Sequence, residues 1–247
     1  MAYGRVIAGA WLAAVAAVAL ASPALAESEA SEERSPLSIV LFGSLEAGPT
    51  KTFAAIGMKK ALTGGLTGSG FRLLVKVGGS QEATRAQRPH GTTYKAEAQS
   101  MLGYEWRIGD IFLALYGGTD YEGEQREVPA GTLLVNRYGA RLHGDLWTTP
   151  FEGTMLQASA YVSTINGRFW GRVAPGWQLP WNPGLGNPYL GPEVEAYRER
   201  GYGKLRLGLH LTGLRLLGLS WRISGGWQAT SDRPSEAYAT LGLHWQR

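Results

Sequence analysis

The sequence predicts an all-β protein: a closed, antiparallel, up-and-down transmembrane β-barrel of about twelve strands. Three observations carry this. Leu205, Leu207, Leu209 and Leu211 occupy every second position, with Lys204, Arg206, Gly208, His210 and Thr212 between them. A strand sends alternate side chains to opposite faces, so one face here is aliphatic and the other cationic and polar. The same period runs unbroken through 94–107. That outlasts the about five or six residues usual for soluble strands and suffices to cross a hydrocarbon layer at a tilt. Third, the polar faces mix Gly and Ser with Arg, Lys, Glu and His, which suits a lumen better than a solvated sheet surface.

Taken in order, the chain opens with Arg5, an apolar run from Val6 to Ala21, a Ser22-Pro23 break and Ala24-Leu25-Ala26. That pattern makes residues 1–26 a secretory signal peptide. Residues 27–36, polar and acidic, read as a flexible leader. Residues 37–247 then form a single barrel domain. Its strands are expected at 38–46, 51–60, 69–80, 94–107, 110–119, 133–147, 155–163, 167–177, 189–196, 202–213, 217–224 and 237–246. In 133–147, Arg137, Arg141, His143 and Asp145 share one face, and Leu134, Tyr138, Ala140, Leu142 and Leu146 the other. Tight turns are expected at 47–49, 108–110, 149–150, 166–167 and 212–213, with long polar loops at about 80–91, 120–131 and 228–235. The Trp- and Pro-rich segment 178–188 is long where a short turn belongs, so either a strand is miscounted there or the segment folds against the rim.

Composition narrows the function. There is no cysteine, which removes disulfides, thiol nucleophiles and cysteine zinc sites. The net charge of +4 is too small and too scattered for a nucleic-acid partner. Periodicity alone leaves open which face is inside. A soluble periplasmic barrel that binds a small apolar ligand would turn the leucines inward, whereas a membrane barrel turns them to lipid. Trp106, Trp147, Trp221, Trp245 and Tyr94 near strand ends suit interfacial girdles and favour the outer membrane. The ending Trp245-Gln246-Arg247 departs from the terminal aromatic residue of many outer-membrane barrels.

With the polar faces inward, the lumen holds Lys59, Arg72, Lys76, Lys95, Glu97, Glu105, Arg107, Arg137, Arg141, His143, Asp145, Arg168, Arg172, Glu193, Glu195, Lys204, Arg206, His210 and Arg222. Cross-strand ion pairing that fills a narrow barrel is the simplest use for them, because buried charge demands a partner. A wet passage or a sugar-contact surface is the alternative. Rim candidates for stacking on sugar rings are Tyr121, Trp170, Trp177, Trp181 and Tyr189, each of which would equally serve as an interfacial anchor. No residue is assigned a catalytic role, and no metal or cofactor is implied. A barrel enzyme acting on lipid or glycan remains an alternative, with His143 and Asp145 on one face, Ser159 and Ser163 on the next strand, and the Glu193/Glu195 pair as its suspects. The chain lacks the G-x-S-x-G turn of many serine hydrolases.

Several segments resemble the BcsS family of bacterial cellulose biosynthesis proteins. They are Phe42-Gly43-Ser44-Leu45-Glu46-Ala47-Gly48, Ser69-Gly70-Phe71, Met101-Leu102-Gly103-Tyr104-Glu105-Trp106, Gly191-Pro192-Glu193, Arg206-Leu207-Gly208-Leu209-His210-Leu211-Thr212-Gly213-Leu214 and Tyr238-Ala239-Thr240-Leu241-Gly242. All are strand and turn text, in order across the mature chain. The resemblance implies an envelope protein tied to export or assembly of a cellulose-type exopolysaccharide, with that glycan and other cellulose-export proteins as partners. It supplies no active-site residues. The function expected is therefore a non-enzymatic, accessory outer-membrane barrel.

Overall fold

The computed structural model describes residues 38–84, 91–128, 131–180 and 183–246. The segments read as signal peptide and leader lie outside these. Twelve antiparallel strands close on themselves, each pairing with its neighbours in sequence and β1 pairing with β12. They are β1 (Ile39–Ala47), β2 (Lys51–Ala61), β3 (Gly70–Thr84), β4 (Gly91–Ile108), β5 (Ile111–Val128), β6 (Gly131–Thr148), β7 (Thr154–Ser163), β8 (Arg168–Gln178), β9 (Gly186–Glu199), β10 (Tyr202–Leu216), β11 (Leu219–Thr230) and β12 (Arg233–Gln246). Closure removes the unpaired edges that lipid cannot solvate.

The direction of the side chains decides between the two barrel types. Leu205, Leu207 and Leu209 are 47%, 56% and 60% exposed, while the intervening Arg206 and the following His210 are 2% and 1% exposed. Phe71, Leu102, Leu113, Leu115, Leu142, Val162, Phe169, Val173, Val194 and Ile223 likewise point out. The apolar face therefore turns outward and the ionised face inward, the reverse of a soluble barrel around an apolar ligand.

The end where β1 begins and β12 finishes is called proximal below, and the opposite end distal. The distal rim is uneven. β4, β5 and β6 each have 18 residues, β1 has 9 and β7 has 10. The top of β7, Ser163, pairs with Arg141, so β6 continues from Arg141 up to Gly131 beyond it. A wall built from β3 to β6 thus stands above the rest of the rim. Here the structure corrects the sequence reading. The expected loops at 80–91 and 120–131 are largely strand, as β3 runs to Thr84, β4 starts at Gly91, β5 runs to Val128 and β6 starts at Gly131. The loop expected at 228–235 shrinks in the same way, to the turn between Thr230 and Arg233. The reason is physical: the polar residues of these stretches alternate, and their inward members pair laterally. Arg137 on β6, for example, holds Glu122 and Glu124 on β5.

Among its described residues, the 178–188 connection holds no extra strand. β8 ends at Gln178, the Leu179 amide donates to the Pro188 carbonyl at 2.9 Å, and a short 3-10 turn (Pro183–Leu185) leads into β9.

Candidate functional site

The lumen follows from the alternation. Its proximal part, on the side of β1 to β5, is filled by one carboxylate with its partners and an apolar packing cluster. Glu105 on β4 is fully buried and accepts from Lys59 Nζ (2.6 Å), Arg72 Nε (2.9 Å) and Tyr116 Oη (2.5 Å). Arg72 also donates to the carbonyls of Thr63 and Gly68 (2.7 and 2.5 Å), tying the β2–β3 turn across the barrel end. Beside this cluster, Leu74, Met101, Ala114 and Tyr116 pack together with Phe42 and Phe112.

The distal part is a charge lattice. Asp120 accepts from Arg141 Nη2 at 3.0 and 3.1 Å and from the Ser163 hydroxyl at 2.5 Å, with Arg168 at 3.6 Å. Arg168 also reaches Glu122 at 3.0 Å and Glu97 at 3.4 Å. Around the wall, Arg206 holds Glu46 and, at 3.2 Å, Glu195, which Lys204 shares at 3.2 Å. Arg222 holds Glu193. Two of these pairs cross the lumen. Arg168 on β8 meets Glu97 on β4, and Glu199 on β9 lies 3.9 Å from Lys95 on β4. At least three strands separate the partners in either direction around the barrel. Opposite walls are therefore bridged by charge at these two points.

A cavity of about 1010 Å³ runs along the lumen, from Lys59 and Tyr116 of the proximal cluster to Arg126 and Arg233 at the distal rim. Asp145 sits at its wall, accepting from the Ser159 hydroxyl at 2.6 Å and contacting His143 Nε2 at 3.0 Å. The structure thus brings the three suspected hydrolase residues together with the carboxylate in the middle. Serine activation needs the histidine in that place, bonded to the serine. Because a carboxylate only accepts, His143 Nε2 carries the proton in this bond, and its buried Nδ1 has no partner among the described residues. Gln157 Oε1 and Arg172 Nε, on the next two strands, are likewise buried and unpartnered. Arg172 and Lys76 line the cavity with no ion-pair partner within 4.0 Å among the described residues; each lies near an aromatic ring, Trp170 at 5.9 Å and Phe53 at 5.7 Å. Acceptors and donors together are what hydroxyl groups satisfy, since each hydroxyl both gives and takes a hydrogen bond.

The remaining candidates sort by position. Arg137, Arg141, Glu193, Glu195, Lys204 and Arg222 lie in the lattice described above. Arg107 keeps the inward parity of β4 but is exposed at the proximal rim, 4.4 Å from the Phe112 ring. His210 is structural. Pro175 interrupts the β8–β9 ladder between Val173 and Trp177, and His210 Nε2 donates to the Pro175 carbonyl at 2.9 Å while Nδ1 takes the Thr212 hydroxyl at 3.0 Å. Of the five stacking candidates, Trp170 faces the cavity, packed flat against Tyr161 with ring centres 5.6 Å apart. Tyr189 shares the inward face of β9, in register with Gln178 and Thr212. Two of the five point away from the lumen. Tyr121 faces outward, bonding Asn136 at 2.9 Å beside Tyr138, and Trp177 is 57% exposed on the outer face. In each case the residue has the outward parity of its strand. Trp181 lies outside the described residues. Sequence reasoning missed Asp120, Glu122 and Glu124, the hubs of the distal lattice. Their spacing of two was the available signal.

The fold is shared with known outer-membrane barrels. The β-domain of the Bordetella autotransporter BrkA is similar at 12% identity over 86% of this chain and all of that one, with a TM-score of 0.55. The translocator domain of the autotransporter NalP from Neisseria meningitidis is similar at 11% identity over 98% of this chain and 95% of that one, with a TM-score of 0.52. These likenesses establish architecture alone. No curated protein matches the sequence. The family model for cellulose biosynthesis protein BcsS matches residues 40–247, the whole of the barrel bar its first residue, and the chain belongs to that family.

Proposed function

We propose that this protein is an outer-membrane barrel serving cellulose biosynthesis in an accessory, non-enzymatic role, in contact with the glucan and with other export proteins. Residues 1–26 direct its export and 27–36 act as a tether ahead of the barrel. Family membership supports the cellulose context. The outward aliphatic band supports a lipid environment. One observation carries the accessory role: the cross-lumen pairs Arg168–Glu97 and Lys95–Glu199. A polymer threading this barrel would have to break them, which would leave Glu97 and Lys95, both partly buried, without an ion-pair partner among the described residues. The reading therefore assigns bulk passage of glucan to a partner. The cavity wall around Gln157, Arg172 and His143 is offered to sugar hydroxyls.

Deleting the gene in a cellulose-producing cell tests this. Surface cellulose should fall while glucan synthesis by isolated inner membranes persists. Unchanged surface cellulose defeats the proposal. Soluble sugar or fatty acid released by the purified barrel, and lost in His143→Ala, would replace it with the hydrolase reading.

A further inference from the structure

The raised wall ends in an exposed strand edge. β6 pairs with β5 along its whole length, from Gly131 opposite Val128 to Thr148 opposite Ile111. On its other side it pairs with β7 only from Arg141 onward. Thr164 then takes both backbone groups of Ala140: the Thr164 amide donates to the Ala140 carbonyl at 3.0 Å, and the Ala140 amide donates to Thr164 Oγ1 at 2.9 Å. Above that point, residues 131–139 have a neighbouring strand on one side only among the described residues.

Alternation identifies the free groups. In an antiparallel ladder, successive residues direct their N–H and C=O to opposite sides. Ala140 points toward the β7 side, so Thr132, Leu134, Asn136 and Tyr138 do too. Four N–H and four C=O groups repeat there at about 7 Å, two residues of rise. All four residues are exposed. Natural edges of this kind are usually blunted by proline, lysine, a bulge or an inward charge. The run Gly-Thr-Leu-Leu-Val-Asn-Arg-Tyr-Gly has no proline or lysine and no bulge in its register. Its single charge, Arg137, is turned inward and held by Glu122 and Glu124.

We infer that residues 131–139 of β6 are a docking edge for an extended polypeptide segment of another protein, which adds an antiparallel strand beside β6 above the membrane. The spacing and alternation of the donors and acceptors match another extended backbone and no small ligand. Leu134 and Tyr138, on the outward face, offer pockets to alternate side chains of that strand. A second copy is the poorer fit, because it could pair here only in parallel, the less stable ladder. Copies inserted in one membrane share a polarity, so their β6 strands run the same way and cannot form an antiparallel ladder with one another. This inference goes beyond the accessory role proposed above, because it stands whatever pathway the partner serves.

The probe is a synthetic peptide copying residues 119–127, a stretch already compatible with β6 as an antiparallel neighbour. Backbone amide exchange is followed by NMR on the full chain in detergent. In the free barrel, the amides of Thr132, Leu134, Asn136 and Tyr138 should exchange without protection, and those of Leu133, Val135 and Arg137 slowly. With the peptide, the first four should slow at least tenfold. A peptide N-methylated at alternate residues should have no effect. Leu134→Pro should abolish binding, because its missing N–H faces the free side and leaves the β5 ladder intact; Thr132→Pro serves if that variant fails to show heat-modifiable gel migration. Protection of the four amides in the free barrel overturns the inference, as does their failure to respond to the peptide. So does protection by cellohexaose in place of the peptide, or a barrel dimer that Leu134→Pro dissolves.

Discussion

The two ends of the lumen solve the same problem differently. At the proximal end one carboxylate, Glu105, neutralises two cations and takes a tyrosine hydroxyl, all beside an apolar cluster. At the distal end Asp120, Glu122 and Glu124 share Arg126, Arg137, Arg141 and Arg168, so most charges there have a second partner. The first arrangement is a keystone and the second a mesh. A keystone concentrates stability in one residue. A mesh spreads it and tolerates a missing member, which suits an end that meets other molecules.

Glu105→Ala tests the keystone and should have the largest effect. It strands Arg72, which is fully buried, and removes the only ion-pair partner of Lys59 among the described residues. Breaking a buried pair from one side costs about 3–5 kcal/mol. The variant should lose heat-modifiable migration at a markedly lower temperature than the parent. A shift as small as that of a surface substitution would dissolve the distinction between the two ends.

Arg168→Ala tests the mesh where it crosses the lumen. Asp120 keeps Arg141, and Glu122 keeps Arg137, so only Glu97 loses its one ion-pair partner among the described residues. The cost should be about 1.5–3 kcal/mol, the range for a hydrogen bond to a charged group. The more telling measurement is conductance in planar bilayers, which should rise as the bridge between β4 and β8 opens. An unchanged trace would place the constriction elsewhere, with the proximal cluster the next suspect.

What was legible in the sequence follows from what strand alternation encodes. Parity is local, so the inward setting of Arg72, Arg141, Arg206 and Arg222 and the outward setting of the leucines could be read directly. Parity alone would have turned Trp177 outward within its expected strand 167–177, and would have done the same for Tyr121 had the strand before it been drawn beyond residue 119; there hydrophilic text was instead taken as loop. Height along the barrel axis is not local. That β3 to β6 rise above β7 depends on where each strand stops pairing, and the residues of 120–128 are as polar as a loop because their charges are matched from β6. The cross-lumen pairs were least accessible. Glu97 and Arg168 are 71 residues apart, and only closure of the barrel brings them together.

Arg137→Ala should have the smallest effect, and it bears most sharply on the comparison. Arg137 makes two ion pairs, at 2.7 Å to Glu122 and 2.9 Å to Glu124, which by contact count would rank it with Arg72. Yet its side chain is 30% exposed, Glu122 retains Arg168 at 3.0 Å, and Glu124 retains Arg126 at 2.6 Å. Water and the remaining mesh take up the loss, so the expected cost is less than about 1 kcal/mol. Thermal unfolding of the detergent-solubilised barrel measures it. A loss matching that of Glu105→Ala would mean that the distal charges act as a single unit and not a redundant one, and the two ends of the lumen would then be stabilised in the same way.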